Sequence, residues 1–312
     1  MFFYLVIIFF RTFAVQIYLQ MRIPSNKIKD IISFFKQELL GLYEEREIKS
    51  FINLIMEEYT ALNSAQLLVN GDKTLNESVL LKIKFAINDL KVYKPVQYIL
   101  GKTFFYDIEF NVTPDVLIPR PETEELVKWV IDDYNTHLQA FTLLDIGTGS
   151  GCIPITIKKH LPQANVNAVD ISEKALEVAE RNAKKNEVSI NFMQLDIFDR
   201  ERWQELPETD VIISNPPYVC DSEKQMMQPN VLDYEPHLAL FISNDNPLLF
   251  YNAIADFALQ KLKPNGSLYF EINENFALQT KTLLEIKGFT NCEIRKDMQG
   301  KDRMIKARLN IL

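Results

Sequence analysis

Leu143-Leu144-Asp145-Ile146-Gly147-Thr148-Gly149-Ser150-Gly151 is a short apolar run that breaks into three alternate glycines. The run reads as a buried strand, and the apolar periodicity after Gly151 reads as a helix. Glycine between them permits a tight turn and lets a ligand approach the backbone where a side chain would block it. A nucleotide-like ligand follows from that pattern. The dinucleotide fingerprint G-x-G-x-x-G requires glycine or alanine at position 152, where Cys152 stands. The chain also lacks the G-x-x-x-x-G-K-[ST] pattern of a phosphate-cradling loop.

Outward from this stretch, strand and helix patterns alternate. Strands are expected over 142–146, 165–171, 190–195, 211–214 and 267–272, and near 292–295 and 303–309. Helices are expected up to His160, over 173–186, near 247–262 and near 276–286. The alternation implies an α/β fold with a doubly wound, mostly parallel sheet, whose ligands sit at the carboxyl ends of the strands.

Carboxylates stand at those ends. Asp170 closes the second strand about twenty residues beyond the glycines, placed to accept two ribose hydroxyls or to cap the helix near Glu173. Asp196 follows the third strand, beside Ile197 and Phe198; it either receives an adenine amino group between apolar walls or merely ends the strand. Asp145 reads as a carboxylate bonded to loop amides.

A second stretch, Ile212-Ile213-Ser214-Asn215-Pro216-Pro217-Tyr218, is a buried strand stopped by a proline pair. Proline lacks the ladder donor, so the strand ends at Asn215 and the carbonyls beyond it are released. The Asn215 side-chain oxygen and the Pro216 carbonyl can hold both hydrogens of a planar NH2 group, with Tyr218 stacked on its plane. The alternative is an ordinary strand-to-loop turn.

The remainder organises around this unit. Ile28, Ile31, Ile32, Phe35, Leu39 and Leu42 recur at three and four residues, as do Ile48, Phe51, Ile52, Ile55 and Met56, and then Val79, Ile83, Ala86, Ile87 and Leu90. They predict a small helical bundle at 21–91. Lys94 to Gly101 changes period and Thr103 to Val112 alternates, placing a β-hairpin linker at 92–117 before a main domain at 118–312. Ile118-Pro119-Arg120-Pro121-Glu122-Thr123-Glu124 opens a helix through about Tyr134, with early acids complementing the helix dipole.

Lys and Arg number 34 against 42 Asp and Glu, a net charge of -8 that does not suggest a broad grip on nucleic acid. Cys152, Cys220 and Cys292 have no paired spacing and do not cluster with the histidines, which fits a reducing cytoplasm and implies no structural metal. Residues 1–20 are apolar around Arg11, without the basic lead and cleavage site of a secretory signal. A membrane span would place Arg11 at mid-depth at a cost of roughly 2.5–3.5 kcal/mol, so the segment is expected to come from an upstream start codon.

The glycine loop, Asp170 and Asn215 to Tyr218, in that order, resemble class I S-adenosylmethionine-dependent methyltransferases acting on amino groups of planar systems. Together with Lys94 to Gly101, Ile118 to Glu124 and Tyr234-Glu235-Pro236-His237-Leu238-Ala239-Leu240, they resemble the release factor glutamine N5-methyltransferases, the HemK or PrmC family. The resemblance implies a seven-stranded Rossmann-like sheet, and a substrate glutamine in the Gly-Gly-Gln loop of peptide chain release factors. It implies S-adenosylmethionine at Gly147, Thr148, Gly149, Ser150, Gly151, Asp170, Asp196, Ile197, Phe198 and Asn215, with Phe198 standing in where some relatives carry an aromatic at 197. Asn215, Pro216, Pro217 and Tyr218 are then the catalytic and substrate-binding group, in a cytoplasmic monomer whose helical domain helps hold the release factor. Two alternatives stay open: a DNA adenine N6-methyltransferase and a non-catalytic adaptor for a translation factor.

Overall fold

The structure, a computed structural model, describes residues 25–310, so the expectations for residues 1–20 lie outside the described residues. The chain divides between Leu100 and Gly101 into two compact units. In the first, α1 (Ile28–Leu39), α2 (Glu45–Thr60), α3 (Ser64–Val69), α4 (Glu77–Lys91) and α5 (Val96–Leu100) turn their apolar stripes inward. Ile31, Phe35, Leu39, Ile55, Met56, Ile83, Ile87 and Leu90 are fully buried there. Asn63 and Asn76 accept from the first free amides of α3 and α4 and fix where those helices start.

Residues 96–100 are helical, and Val96 packs into the helical core. The hairpin proper is β1 (Lys102–Phe105) with β2 (Ile108–Asn111), turning through Tyr106 and Asp107, both at positive φ. Phe105 and Phe110 are buried in the core of the second unit.

That unit continues through α6 (Pro121–Tyr134), β3 (Phe141–Ile146), α7 (Cys152–His160), β4 (Ala164–Asp170), α8 (Glu173–Lys185), β5 (Asn191–Gln194) and β6 (Thr209–Ser214). After a short pair, β7 (Val219–Cys220) and β8 (Phe241–Ile242), with α9 (Pro229–Leu232) and α10 (His237–Leu240) between, come α11 (Leu249–Lys261) and β9 (Leu262–Glu271). The described chain closes with α12 (Ala277–Ile286), β10 (Thr290–Lys296) and β11 (Asp302–Arg308). The sheet has seven strands in the order β10-β11-β9-β6-β3-β4-β5, all running the same way except β11, which is antiparallel to both its neighbours. This is the class I methyltransferase fold.

Alternation along the strands divides the core into two layers. Leu143, Val211, Ile213 and Tyr269 face one way, onto α6 and α7. Leu144, Ile212, Leu268 and Phe270 face the other, onto α11 and α12. Both faces are covered, which is why the central strands read as continuous apolar runs.

Candidate active site

The strand order reverses direction between β3 and β6, and there the carboxyl ends of β3, β4 and β6 open into a cavity of about 230 Å³. A single water needs only roughly 10–15 Å³ by the same measure, so the space suits a sizeable ligand. Gly147, Gly149, Asp170, Asp196, Ile197, Phe198, Asn215, Pro216 and Pro217 line it. Thr148, Ser150, Gly151 and Tyr218 do not. Of the residues read from sequence, the fold thus gathers nine onto one surface and holds four just behind it.

The glycine loop divides its tasks. Gly147 and Gly149 have positive φ, and a Cβ on either would meet nothing within 4 Å, so both present bare backbone to open space. Gly151 also has positive φ, but a Cβ there would press to 3.0 Å on Ile155 and 3.1 Å on Ala179. Its role is close packing of α7 against α8. The hydroxyls of Thr148 and Ser150 are buried behind the loop without hydrogen-bond partners.

Asp170 Oδ2 accepts from the Gly149 amide at 2.8 Å and Oδ1 from the Ser172 amide at 2.9 Å. It does not cap α8: Ser172 does, accepting from Ala175. Burial raises the Asp170 carboxyl above the ordinary range, opposed by the Ser172, Gly149 and Ile171 amides. Asp145 departs from the expectation of bonds to loop amides. Both its oxygens are fully buried without a partner. Burial pushes its pKa up to about 7, offset in part by the nearby Thr148 hydroxyl, which does not reach hydrogen-bond geometry.

Beyond β5, Asp196 Oδ1 accepts from the Phe198 amide at 2.9 Å, which turns the chain across the cavity. Ile197 is buried, whereas Phe198 and Ile171 are partly open, and the Phe198 ring lies 5.1 Å from that of Phe250 on α11. These apolar faces form a slot suited to a flat base. With the bare loop and the carboxylates at the strand ends, the residues present fit a nucleoside-bearing cofactor.

At the far end stands Asn215, whose Nδ2 donates to Thr123 Oγ1 at 3.1 Å. Thr123 Oγ1 donates to Glu271 Oε2 at 2.6 Å, and the Tyr218 hydroxyl donates to Glu271 Oε1 at 2.8 Å. Tyr218 is therefore anchored by its hydroxyl behind the cavity. Sequence reading missed Thr123 and Glu271 as site residues. The available signal was that Glu271 ends a buried strand aligned in parallel with the one that stops just before Asn215.

Two further walls were also unread. Asp115, Val116 and Leu117 form one, and Pro236, Leu238 and Ala239 the other. Glu235 clips them together, accepting from the Ile118 amide at 3.2 Å and from Arg120 Nη2 at 2.6 Å. Arg120 thus braces the cavity from outside its lining.

The chain is similar to proteins of known family. Residues 130–233 match the methyltransferase small domain and residues 30–101 the PrmC N-terminal domain. The release factor glutamine methyltransferase of Flavobacterium psychrophilum is 46% identical over 90% of this chain and 98% of its own length. That of Bacteroides thetaiotaomicron is 39% identical over 89% and 98%. Among solved structures, the release-factor-specific protein-(glutamine-N5) methyltransferase of Alicyclobacillus acidocaldarius is 27% identical, covering 65% of this chain and 100% of that one, with a TM-score of 0.41.

Proposed function

The chain belongs to the release factor glutamine methyltransferases, and we propose that it methylates the side-chain amide nitrogen of a release-factor glutamine with S-adenosylmethionine. The single observation that carries the reading is the Asn215 carboxamide on the cavity wall, held by its Nδ2 so that Oδ1 is the end left for a donor. When bound, S-adenosylmethionine supplies a methyl group on a positively charged sulfur.

Gly147 and Gly149 would hold the cofactor by their backbone, Asp170 its ribose hydroxyls, and Asp196 with Phe198 its base. Each Asp170 oxygen already takes one amide and retains a lone pair for a hydroxyl. An amide nitrogen is a weak nucleophile because its lone pair is delocalised into the carbonyl. Asn215 Oδ1 and the Pro216 carbonyl orient that nitrogen by accepting its two hydrogens and favour the positive charge that develops on it. The proline pair stiffens the segment, so the acceptors are placed before the substrate arrives. No dedicated base is needed, because the methylated nitrogen is strongly acidic and releases its proton readily.

The release factor as partner, action as a monomer without direct nucleic-acid contact, and a cytoplasmic location are parts of the same proposal. Among the described residues, no helix is long and apolar enough to cross a membrane. Incubation with methyl-labelled cofactor and either a release factor or duplex DNA tests it. Label on one glutamine of the release factor, found by peptide mapping, is the expected result. Label on DNA would assign the adenine reading, which the net charge of -8 opposes. Label on neither would leave the adaptor.

A further inference from the structure

We propose that Thr123 and Glu271 are positioning residues that dictate which end of the Asn215 carboxamide faces the substrate, and so make the site selective for a group that donates hydrogen bonds. The proposal deepens the methyltransferase reading above and rests on it.

The Thr123 and Tyr218 hydroxyls donate to the two oxygens of Glu271, at 2.6 and 2.8 Å, so both point their protons at it. A threonine hydroxyl has one proton. With that proton committed to Glu271, Thr123 Oγ1 offers Asn215 only lone pairs, and what faces it at 3.1 Å must be Nδ2. A reversed carboxamide would set Oδ1 against those lone pairs. Glu271 and Thr123 are 1% and 3% exposed, so water cannot relieve the mismatch. Direction therefore passes from a buried carboxylate, through one hydroxyl, to the carboxamide on the cavity wall.

Burial raises the Glu271 pKa, restrained by the bonds from Thr123 and Tyr218 and by the charge of Arg303. One carboxylate also ties Asn215 and Tyr218, the first and last residues of the segment, to a common anchor on β9. Glutamine donates two hydrogens to such a site. Glutamate, ionised, donates none and meets the Asn215 oxygen with like polarity, so the arrangement separates two side chains of nearly equal shape.

The test uses the full chain with Thr123→Val, Thr123→Ser and Glu271→Gln. Three readouts are taken: methyl transfer to a release factor, S-adenosylhomocysteine binding by calorimetry, and hydrogen exchange of the Asn215 side-chain NH2 by NMR. Thr123→Val should lower kcat by about tenfold or more, because it frees the carboxamide to rotate, with cofactor-product affinity changed less than about twofold. Thr123→Ser restores turnover, since it keeps the hydroxyl. Glu271→Gln should lower kcat less than Thr123→Val, because its one amide oxygen can still accept from the Thr123 hydroxyl while its nitrogen donates to Tyr218. In the unaltered protein the Asn215 NH2 should exchange far more slowly than that of exposed Asn246.

Equal exchange at the two asparagines overturns the proposal whether or not any variant folds. So does unchanged turnover in folded Thr123→Val. If the unaltered protein transfers no methyl group to a release factor, the substrate reading fails instead, and slow exchange at Asn215 still reports the hydrogen-bond chain.

Discussion

The backbone amide of Gly149 donates to Asp170 Oδ2 at 2.8 Å, so the glycine loop and the end of β4 are one hydrogen-bonded unit. A single carboxylate thereby shapes the loop and presents lone pairs to the cavity. Asp170→Ala should remove both functions. Loss of two charge-assisted bonds worth about 1.5–3 kcal/mol each predicts an affinity for S-adenosylhomocysteine weaker by roughly 100-fold or more. Calorimetry checks it; unchanged affinity would reduce Asp170 to a loop brace.

Asn215→Ala separates chemistry from cofactor binding. The substitution removes an oxygen proposed to act on the substrate nitrogen, so kcat should fall by roughly 100-fold or more while S-adenosylhomocysteine affinity changes little. Steady-state kinetics with a release factor, set beside calorimetry, gives both numbers. Equal turnover would remove Asn215 from the reaction.

Much of this arrangement was legible in the sequence, for a physical reason. A strand buried on both faces is continuously apolar, and a loop that must expose its backbone is glycine-rich, so both announce themselves locally. Asn215 to Pro217 is legible likewise, because a proline pair after an apolar run can only end a strand. Thr123 and Glu271 were not, since their meaning lies in a contact across 148 positions of chain. Thr123 in isolation is a polar residue in a first helical turn. The cavity walls at 115–117 and 236–239 have no periodicity to read. Asp145 misled in the opposite sense: a carboxylate beside loop amides looks satisfied from sequence, whereas its strand position buries it without partners.

Asp145 makes stability depend on pH. Its carboxyl is raised from 3.8 to about 7 by burial, so between those values the folded chain binds a proton that the unfolded chain has released. The favourable contribution is complete below the unfolded pKa and is lost as pH rises through about 7. Asp145→Asn, which never ionises, should therefore raise the melting temperature of the cofactor-free protein at pH 8 by about 3 °C or more. The advantage should vanish near pH 4. Calorimetric melts at both values decide it, and a pH-independent difference would mean that the charge is not the cause.

Gly151→Ala tests the packing role assigned to the third glycine. Alanine at φ of 79° is strained, and its Cβ would stand 3.1 Å from that of Ala179. Together these should cost about 2–4 kcal/mol of stability. Denaturant titration measures the loss. Alanine at Gly149 meets no neighbour, so there the cost should be the smaller one of backbone strain, while cofactor affinity falls because the bare backbone is covered.

Arg120 and Glu235 link cavity shape to a charge pair outside the cavity. The Glu235 side chain is 1% exposed and that of Arg120 31%, so the pair is screened on one side only. Arg120→Ala leaves a buried carboxylate with the Ile118 amide as its remaining partner. The cost should fall below the 3–5 kcal/mol typical of a fully buried pair, at about 1–3 kcal/mol. It should be felt locally, because Ile118 adjoins one wall and Glu235 adjoins the other. Faster hydrogen exchange confined to 115–118 and 235–240, with S-adenosylhomocysteine affinity lowered about tenfold, is the expected pattern. Glu235→Gln has one carbonyl oxygen and must turn its NH2 on either the Ile118 N–H or Arg120, so it should lose about as much affinity as Arg120→Ala; full affinity would mean that these two bonds do not hold the walls together.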